Sequence, residues 1–169
     1  MTLRAIAAAV ALALPLLAGQ AFAQSVKLLG EFRDWTAYSA TESTGPVCFA
    51  LSKPTEVSPS PDDFTEAWLY LTNRPSESVR NELNLVSGFT FAPDTAATAT
   101  ISGEVFQLFT DRDAAWLLDP GQNENLAGAL RAGSTVIVEG TSDKGIRITE
   151  TFSLSGATAA SRAIENCTG

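Results

Sequence analysis

Short strand-type segments separated by turn signals are the feature that most constrains the fold of this chain. Aromatic and β-branched residues cluster over 32–38, and an apolar run occupies 47–51. Similar segments follow at 67–72, 83–91, 98–101, 104–110, 134–139 and 145–154. Many short strands at this spacing are typical of two architectures. The sequence therefore predicts a mainly β (α+β) domain built as an antiparallel β-sandwich or as a barrel-like sheet.

The connections between these segments carry their own signals. Ser102-Gly103 separates two strand-type segments by two residues, which predicts a hairpin. Residues 140–144 join another such pair, and Gly88 is expected to mark a bulge or bend. The segment 51–67 is rich in proline and serine, and we expect it to form one long surface loop.

One internal helix is predicted after residue 118. Asp119 is placed to cap it, Pro120 suits the first helical position, and Gln122 can complete a capping box. Gly133 is expected to end the helix.

A second helix is predicted at the C-terminal end of the domain, with Ser155 as its cap. Its apolar positions recur at helical spacing, at Ala157, Ala160, Ile164 and Cys167. This spacing predicts that Cys167 lies on the buried face of the helix.

Residues 1–23 have the pattern of a secretory signal peptide. Arg4 precedes an apolar run over 5–18, and Ala21-Phe22-Ala23 matches an A-x-A cleavage site. The run is shorter than the roughly 20 residues that span a bilayer. We therefore expect cleavage between Ala23 and Gln24, a single domain over 24–169 with no membrane anchor, and a net charge that moves from −8 to −9.

Export changes the interpretation of the two cysteines. In an oxidising compartment, Cys48 and Cys167 are expected to form a disulfide, with two free thiols or an intermolecular link as the alternatives. The bridge would close a loop of about 120 residues, worth roughly 5 kcal/mol in the chain-entropy model. A catalytic cysteine is disfavoured, because no histidine or C-x-x-C partner lowers its pKa.

Composition excludes several classes of function. The chain contains no histidine, so Ser-His-Asp and Cys-His catalysis and histidine metal sites are excluded. The negative charge argues against nucleic acid as a partner, since nucleic acids select clustered Lys and Arg. No glycine-rich phosphate-binding motif is present. We therefore expect no catalytic residues, no cofactor and no metal.

Carboxylate chemistry is the enzymatic alternative, because glycoside hydrolysis needs only two acidic side chains. Asp62-Asp63 lies in the proline-rich segment, and Asp111 and Asp113 follow a strand. These pairs are interpreted as solvated acidic loops. A calcium loop starting at Asp111 fails, because the glycine and glutamate of an EF-hand are missing at the required positions.

The tryptophans are the candidate interaction surface. Trp35, Trp68 and Trp116, together with Tyr38 and Tyr70, are able to line a binding surface if their strands present them outward. Aromatic residues on strands also serve as core or cross-strand packing, and that is the alternative.

Several stretches in order along the chain resemble the invasion-associated locus B family, which comprises exported α-proteobacterial envelope proteins. They are VCFALSKP at 47–54, TNRP at 72–75 with Asn81-Glu82, FQLFTDRDAAWL at 106–117, Gly140-Thr141-Ser142 with Gly145, and TFSLSG at 151–156 leading to Cys167. The resemblance implies a small, mainly β, periplasmic or secreted module whose early strand is linked to its C-terminal helix by the disulfide. It implies no catalytic activity and no cofactor.

Taken together, these features predict an exported envelope module that binds a protein or another envelope component, in the periplasm or at the cell surface, with a link to host-cell interaction through the family. The alternative is a histidine-independent, carboxylate-based hydrolase acting on envelope glycans.

Overall fold

Eleven strands form one continuous antiparallel sheet in a computed structural model that describes residues 26–168. The predicted signal peptide and its predicted cleavage site between Ala23 and Gln24 lie outside the described residues. The strands are β1 (Lys27–Phe32), β2 (Trp35–Glu42), β3 (Gly45–Ser52), β4 (Pro54–Ser58), β5 (Trp68–Arg74), β6 (Val79–Val86), β7 (Ala97–Ile101), β8 (Glu104–Asp111), β9 (Ala114–Leu117), β10 (Thr135–Thr141) and β11 (Arg147–Ser153). The helices are α1 (Asn123–Ala132) and α2 (Ala157–Glu165).

The strands are ordered β1-β2-β3-β5-β6-β9-β8-β7-β10-β11-β4 across the sheet. The predicted class, mainly antiparallel β with one internal and one C-terminal helix, is confirmed. The sheet does not close into a barrel, since in the described residues β1 and β4 each pair on one side.

The core lies on the inner face of this curved sheet. Along most of the strands, buried side chains alternate with more exposed ones, which places about every second residue inside. α1 and α2 pack their apolar faces onto the same core. The largest fully buried side chains include Leu69, Leu83, Leu85, Phe106, Leu108, Leu126, Leu130, Phe152 and Ile164.

Two distant parts of the sheet meet where β2 begins and β11 ends. The Trp35 indole N–H donates to the carbonyl of Ser153 at 2.9 Å, and the Asp34 N–H donates to the carbonyl of Ser155 at 3.2 Å. Immediately afterwards, Gly156 adopts a φ of +96° and lies against the carbonyl of Phe32. The sheet therefore folds back on itself at this point, and α2 starts from the junction.

Several local predictions are confirmed and others are wrong. The Ser102-Gly103 hairpin is present, with Ile101 paired to Glu104 and both turn residues at positive φ. The single loop predicted over 51–67 is wrong, because β4 lies within it and pairs with β11. β4 is an edge strand and begins at Pro54, and these are the places where a sheet tolerates proline.

The predicted caps are partly wrong. Asp119 does accept a hydrogen bond, from the Gly121 N–H at 2.9 Å, but it caps a 3₁₀ turn that precedes α1. The Gln122 side chain makes no capping bond. At α2 the cap is Gly156 and not Ser155, because the carbonyl of Ser155 accepts from the Asp34 N–H in the β1–β2 turn and the chain turns left-handed at the next residue.

One carboxyl group is buried in this apolar fold. Glu150 on β11 is 1% exposed, and its Oε1 has no hydrogen-bond partner among the described residues. Its register partners are Val138 and Val57. Burial raises the pKa of Glu150 to about 8, so the folded protein holds this carboxyl group protonated at neutral pH.

We predict that Gly156→Ala destabilises the domain by at least about 2 kcal/mol, because a Cβ would overlap the carbonyl of Phe32 and the backbone is left-handed. Urea unfolding measures the free energy. Gly128→Ala is the matched control: its Cβ meets nothing, and alanine favours α1 by about 1 kcal/mol. Equal effects at the two glycines would contradict the prediction.

We predict that the free energy of unfolding of the wild type falls as the pH rises, and that Glu150→Gln abolishes this fall. Between pH 4.5 and about 8 the folded protein keeps a proton that the unfolded chain releases, so wild-type stability falls with pH across this window. Relative to the wild type, the variant gains about 1.4 kcal/mol per pH unit within it. Unfolding free energies at pH 5, 6, 7 and 8 test this. Glu56→Gln, at an exposed position on β4, should show the same pH dependence of the unfolding free energy as the wild type. If the unfolding free energy of Glu150→Gln also changes with pH in parallel with the wild type, the prediction is refuted.

Candidate functional site

Aromatic side chains form a row across the outer face of the sheet, on the side away from the core. Its members are Tyr38 of β2, Phe49 of β3, Tyr70 of β5, Trp116 of β9 and Phe109 of β8. We call this set the aromatic row. Each member is partly exposed, while its sequence neighbours within the strand point inward.

The strand register aligns these residues. Tyr38 pairs with Phe49 and Trp116 pairs with Phe109. Tyr70 is diagonal to Phe49, and Asn84 of β6 lies between Tyr70 and Trp116. The row therefore crosses six adjacent strands, although its residues come from distant parts of the sequence.

The rings pack against one another. The centroids of Tyr38 and Phe49 are 5.5 Å apart, those of Phe109 and Trp116 are 5.3 Å apart, and both pairs are stacked. The centroids of Phe49 and Tyr70 are 6.2 Å apart with tilted rings. Burial raises the pKa of Tyr70, so its hydroxyl is a neutral donor and acceptor. Mutual packing holds these rings in place, so their exposed edges form an ordered surface.

The predicted tryptophans do not all share this surface. Trp116 belongs to the row, and Trp68 lies on the same face beside Tyr70, where the Lys53 ammonium is 4.4 Å from its ring centroid. Trp35 is 1% exposed and lies in the core, because β2 points it inward and Ser153 satisfies its N–H. Of the three tryptophans of the candidate interaction surface, Trp68 and Trp116 therefore remain, on the same face as the tyrosines and phenylalanines of the row.

A groove of about 410 Å³ lies at the Trp116 end of the row. It is lined by Glu82, Phe109, Asp111, Trp116, Leu117, Pro120 and Asn123. Phe109 is 45% exposed there. Two carboxylates from different strands, those of Glu82 and Asp111, thus line the same groove as the aromatic side chains of Phe109 and Trp116.

Arg74 organises the acidic side chains near this groove. Its guanidinium pairs with Glu82, with 2.5 Å between Nη2 and Oε2, and with Glu77, with 3.2 Å between Nε and Oε2. Burial lowers the pKa of Arg74, but the hydrogen bonds and charges of Glu82 and Glu77 outweigh it and hold that pKa above its ordinary value. Arg74 therefore fixes the position of the Glu82 carboxylate.

The two cysteines lie on the inner side of this region. Cys48 of β3 is joined by a disulfide to Cys167, which follows α2, and the Cα atoms are 5.5 Å apart. Asn73 is paired with Cys48 in the sheet and is buried. Its side-chain amide donates to the carbonyl of Ile164 at 2.8 Å, and its Oδ1 accepts from the Asn81 N–H at 2.8 Å. These contacts fasten α2 to β3, β5 and β6.

The TNRP and Asn81-Glu82 stretches therefore act as one unit. Asn73 binds the backbone of Asn81, and Arg74 pairs with Glu82. The sequence signals that carry the resemblance here are structural, since they hold the chain reversal between β5 and β6.

The other acidic, lysine and serine side chains considered from the sequence do not come together in a site. Lys144 pairs with Asp63 at 2.7 Å, and this hydrogen bond lowers the pKa of Asp63 and raises that of Lys144. Lys53 pairs with Glu66 at 2.8 Å, and the Ser52 hydroxyl donates to a carbonyl. Within residues 26–168, no group of three or more acidic, cysteine or histidine side chains is placed to hold a metal ion.

The aromatic row as a unit was missed at the sequence level. Tyr38, Phe49 and Tyr70 each sit at the outward position of an alternating strand, and that signal identifies them one by one. Their alignment depends on which strands are neighbours, which no single segment contains.

Comparisons with known proteins give a likeness in fold. No family model matches the sequence, and no curated protein matches it. The crystal structure of invasion-associated protein B from Bartonella henselae superimposes with a TM-score of 0.56 at 16% sequence identity, over 80% of this chain and 94% of that one. No helix in the described part of the chain is long and apolar enough to cross a membrane. The chain is thus similar in fold to an invasion-associated protein.

Proposed function

We propose that this chain is an exported interaction module of the cell envelope, of the invasion-associated locus B kind, that binds a protein partner through the aromatic row. The observation that carries the proposal is the row itself: five aromatic side chains on five strands, with Asn84 of β6 between Tyr70 and Trp116, on a face that nothing covers within residues 26–168. Partly exposed, ordered Trp, Tyr and Phe are the residues enriched at protein interfaces.

The packing of the rings favours a protein over a sugar. Each stacked pair covers one face of both rings, so at most one face of each of these four rings is left for a sugar ring to stack on. A protein partner can instead fit apolar side chains against ring edges and into the groove beside Trp116.

Charge specifies the partner further. The chain has a net charge of −8, and the groove carries the exposed carboxylate of Asp111, while that of Glu82 is paired with Arg74. The complementary partner surface presents apolar side chains flanked by Lys or Arg, and long-range attraction would speed its association at low salt.

A carboxylate-based glycan hydrolase is the second candidate, because Glu82 and Asp111 come from different strands and line one groove. Such an enzyme needs one carboxyl group held protonated, usually by apolar burial, about 5 to 10 Å from the other. The Glu82 carboxylate is ion-paired with Arg74, and the Asp111 side chain is 66% exposed. These environments favour binding over acid catalysis.

We predict that a photo-crosslinking benzoylphenylalanine at Phe109 captures a protein partner in intact cells that express the full chain. The same probe at Ile137 is the control, because Ile137 is similarly exposed, at 38%, on the outer face of β10 away from the row. Phe109→Ala should then weaken binding of the captured protein about tenfold, and Ile137→Ala should leave it unchanged.

Salt provides a second readout, since association with a basic partner should slow as ionic strength rises. Equal capture from positions 109 and 137, or adducts that prove to be glycan, would contradict the proposed partner.

A further inference from the structure

A second, polar cleft lies between β6, α1 and α2. It measures about 290 Å³ and is lined by Asn73, Arg80, Asn81, Glu124, Arg131, Ser161, Arg162 and Glu165. We call it the arginine cleft. It shares no lining residue with the aromatic row or with the groove beside Trp116.

The three arginines of this cleft come from three different elements. Arg80 lies on β6, Arg131 in the last turn of α1, and Arg162 on α2. Each is exposed, and none has an ion-pair or hydrogen-bond partner for its guanidinium among residues 26–168. In the same part of the chain, Lys53, Arg74, Lys144 and Arg147 are all paired with carboxylates. The fold thus gathers three unpaired guanidinium groups in one place in an acidic protein.

Acidic side chains in the cleft offset this charge only in part. Glu124 accepts a hydrogen bond from the Asn81 side-chain amide at 2.8 Å, and Glu165 is exposed on α2. Three cationic and two anionic groups leave the cleft positive in a chain with a net charge of −8. A bound anion would neutralise this local excess of positive charge.

The donor set matches a doubly charged oxyanion. A guanidinium presents parallel N–H donors that fit two oxygens of a phosphate or carboxylate. A monocarboxylate has two oxygens and one charge, so it can satisfy one guanidinium well. A phosphomonoester dianion has three oxygens and nearly two charges at neutral pH, which suits three guanidinium groups arranged around a space of this size.

We propose that the arginine cleft binds a phosphomonoester dianion. Arg80, Arg131 and Arg162 supply the charge and the forked donors, and the Ser161 hydroxyl lines the cleft beside them. Because the arginines belong to β6, α1 and α2, the bound anion links both helices to the sheet. The phosphate is carried either by a soluble ester or by a lipid headgroup.

Titration of the full-length mature protein with inorganic phosphate at pH 7.5 and low ionic strength tests the site, followed by ¹⁵N NMR. We expect saturable shifts at the side-chain Nε–H of the three arginines and at the backbone N–H of Asn81. Binding should weaken as the pH falls and the phosphate dianion is protonated to the monoanion. Acetate should produce smaller shifts at equal concentration.

Arg131→Gln and Arg162→Gln should each weaken phosphate binding about tenfold. Arg33→Gln is the matched control: it removes the same charge from an exposed arginine with no ion pair among the described residues, in the β1–β2 turn. Arg131→Lys should give an intermediate affinity, because lysine keeps the positive charge but lacks the paired N–H donors of a guanidinium. Absence of saturable shifts, or an equal loss in Arg33→Gln, would overturn the proposal.

Vesicles distinguish the two sources of the phosphate. Neutral-lipid vesicles with and without phosphatidic acid are sedimented with the wild type and with Arg131→Gln. Retention that requires both phosphatidic acid and Arg131 assigns the site to a lipid headgroup. Phosphate binding in solution without such retention assigns it to a soluble ester.

Discussion

Everything in this fold depends on covering the inner face of one curved sheet. That face is apolar along most strands, and α2 packs on it with Ile164 fully buried. A nine-residue helix adds little stability of its own in water. It is held instead by the Cys48–Cys167 bridge, by the Asn73 amide on the carbonyl of Ile164, and by the left-handed turn at Gly156. The packing of α2 on the inner face therefore depends on these three attachments.

The two proposed binding surfaces arise from the same scaffold in different ways. The aromatic row uses the outward positions of strands whose inward positions build the core, so the core fixes its geometry. The arginine cleft forms where α1 and α2 meet β6, so its geometry depends on the fastening of α2. A change that loosens α2 would alter the cleft before it alters the row.

Local patterns predicted the class of the fold, and long-range pairing decided the rest. Alternation and two-residue turns indicated the antiparallel strands and the hairpin at Ser102-Gly103, since these signals lie within a few residues. β4 was missed because its partner, β11, lies far along the chain. The sequence left Trp35 open between a surface and the core, because its N–H acceptor, the carbonyl of Ser153, is 118 residues away. The aromatic row was missed for the same reason. β6, β9 and β8 are neighbours in the sheet, and this strand order cannot be read from any single segment of the sequence.

The position of Cys167 constrains the order in which the chain can acquire its structure. It follows all eleven strands in sequence, and its partner, Cys48, lies on the third. A chain that emerges from its N-terminal end therefore exposes Cys48 as a thiol while the remaining strands appear. Throughout that interval the part of the inner face that α2 packs on has no cover, and any strand pairing takes place before the disulfide forms. The bridge that fastens α2 to β3 can therefore form only after the last strand has emerged.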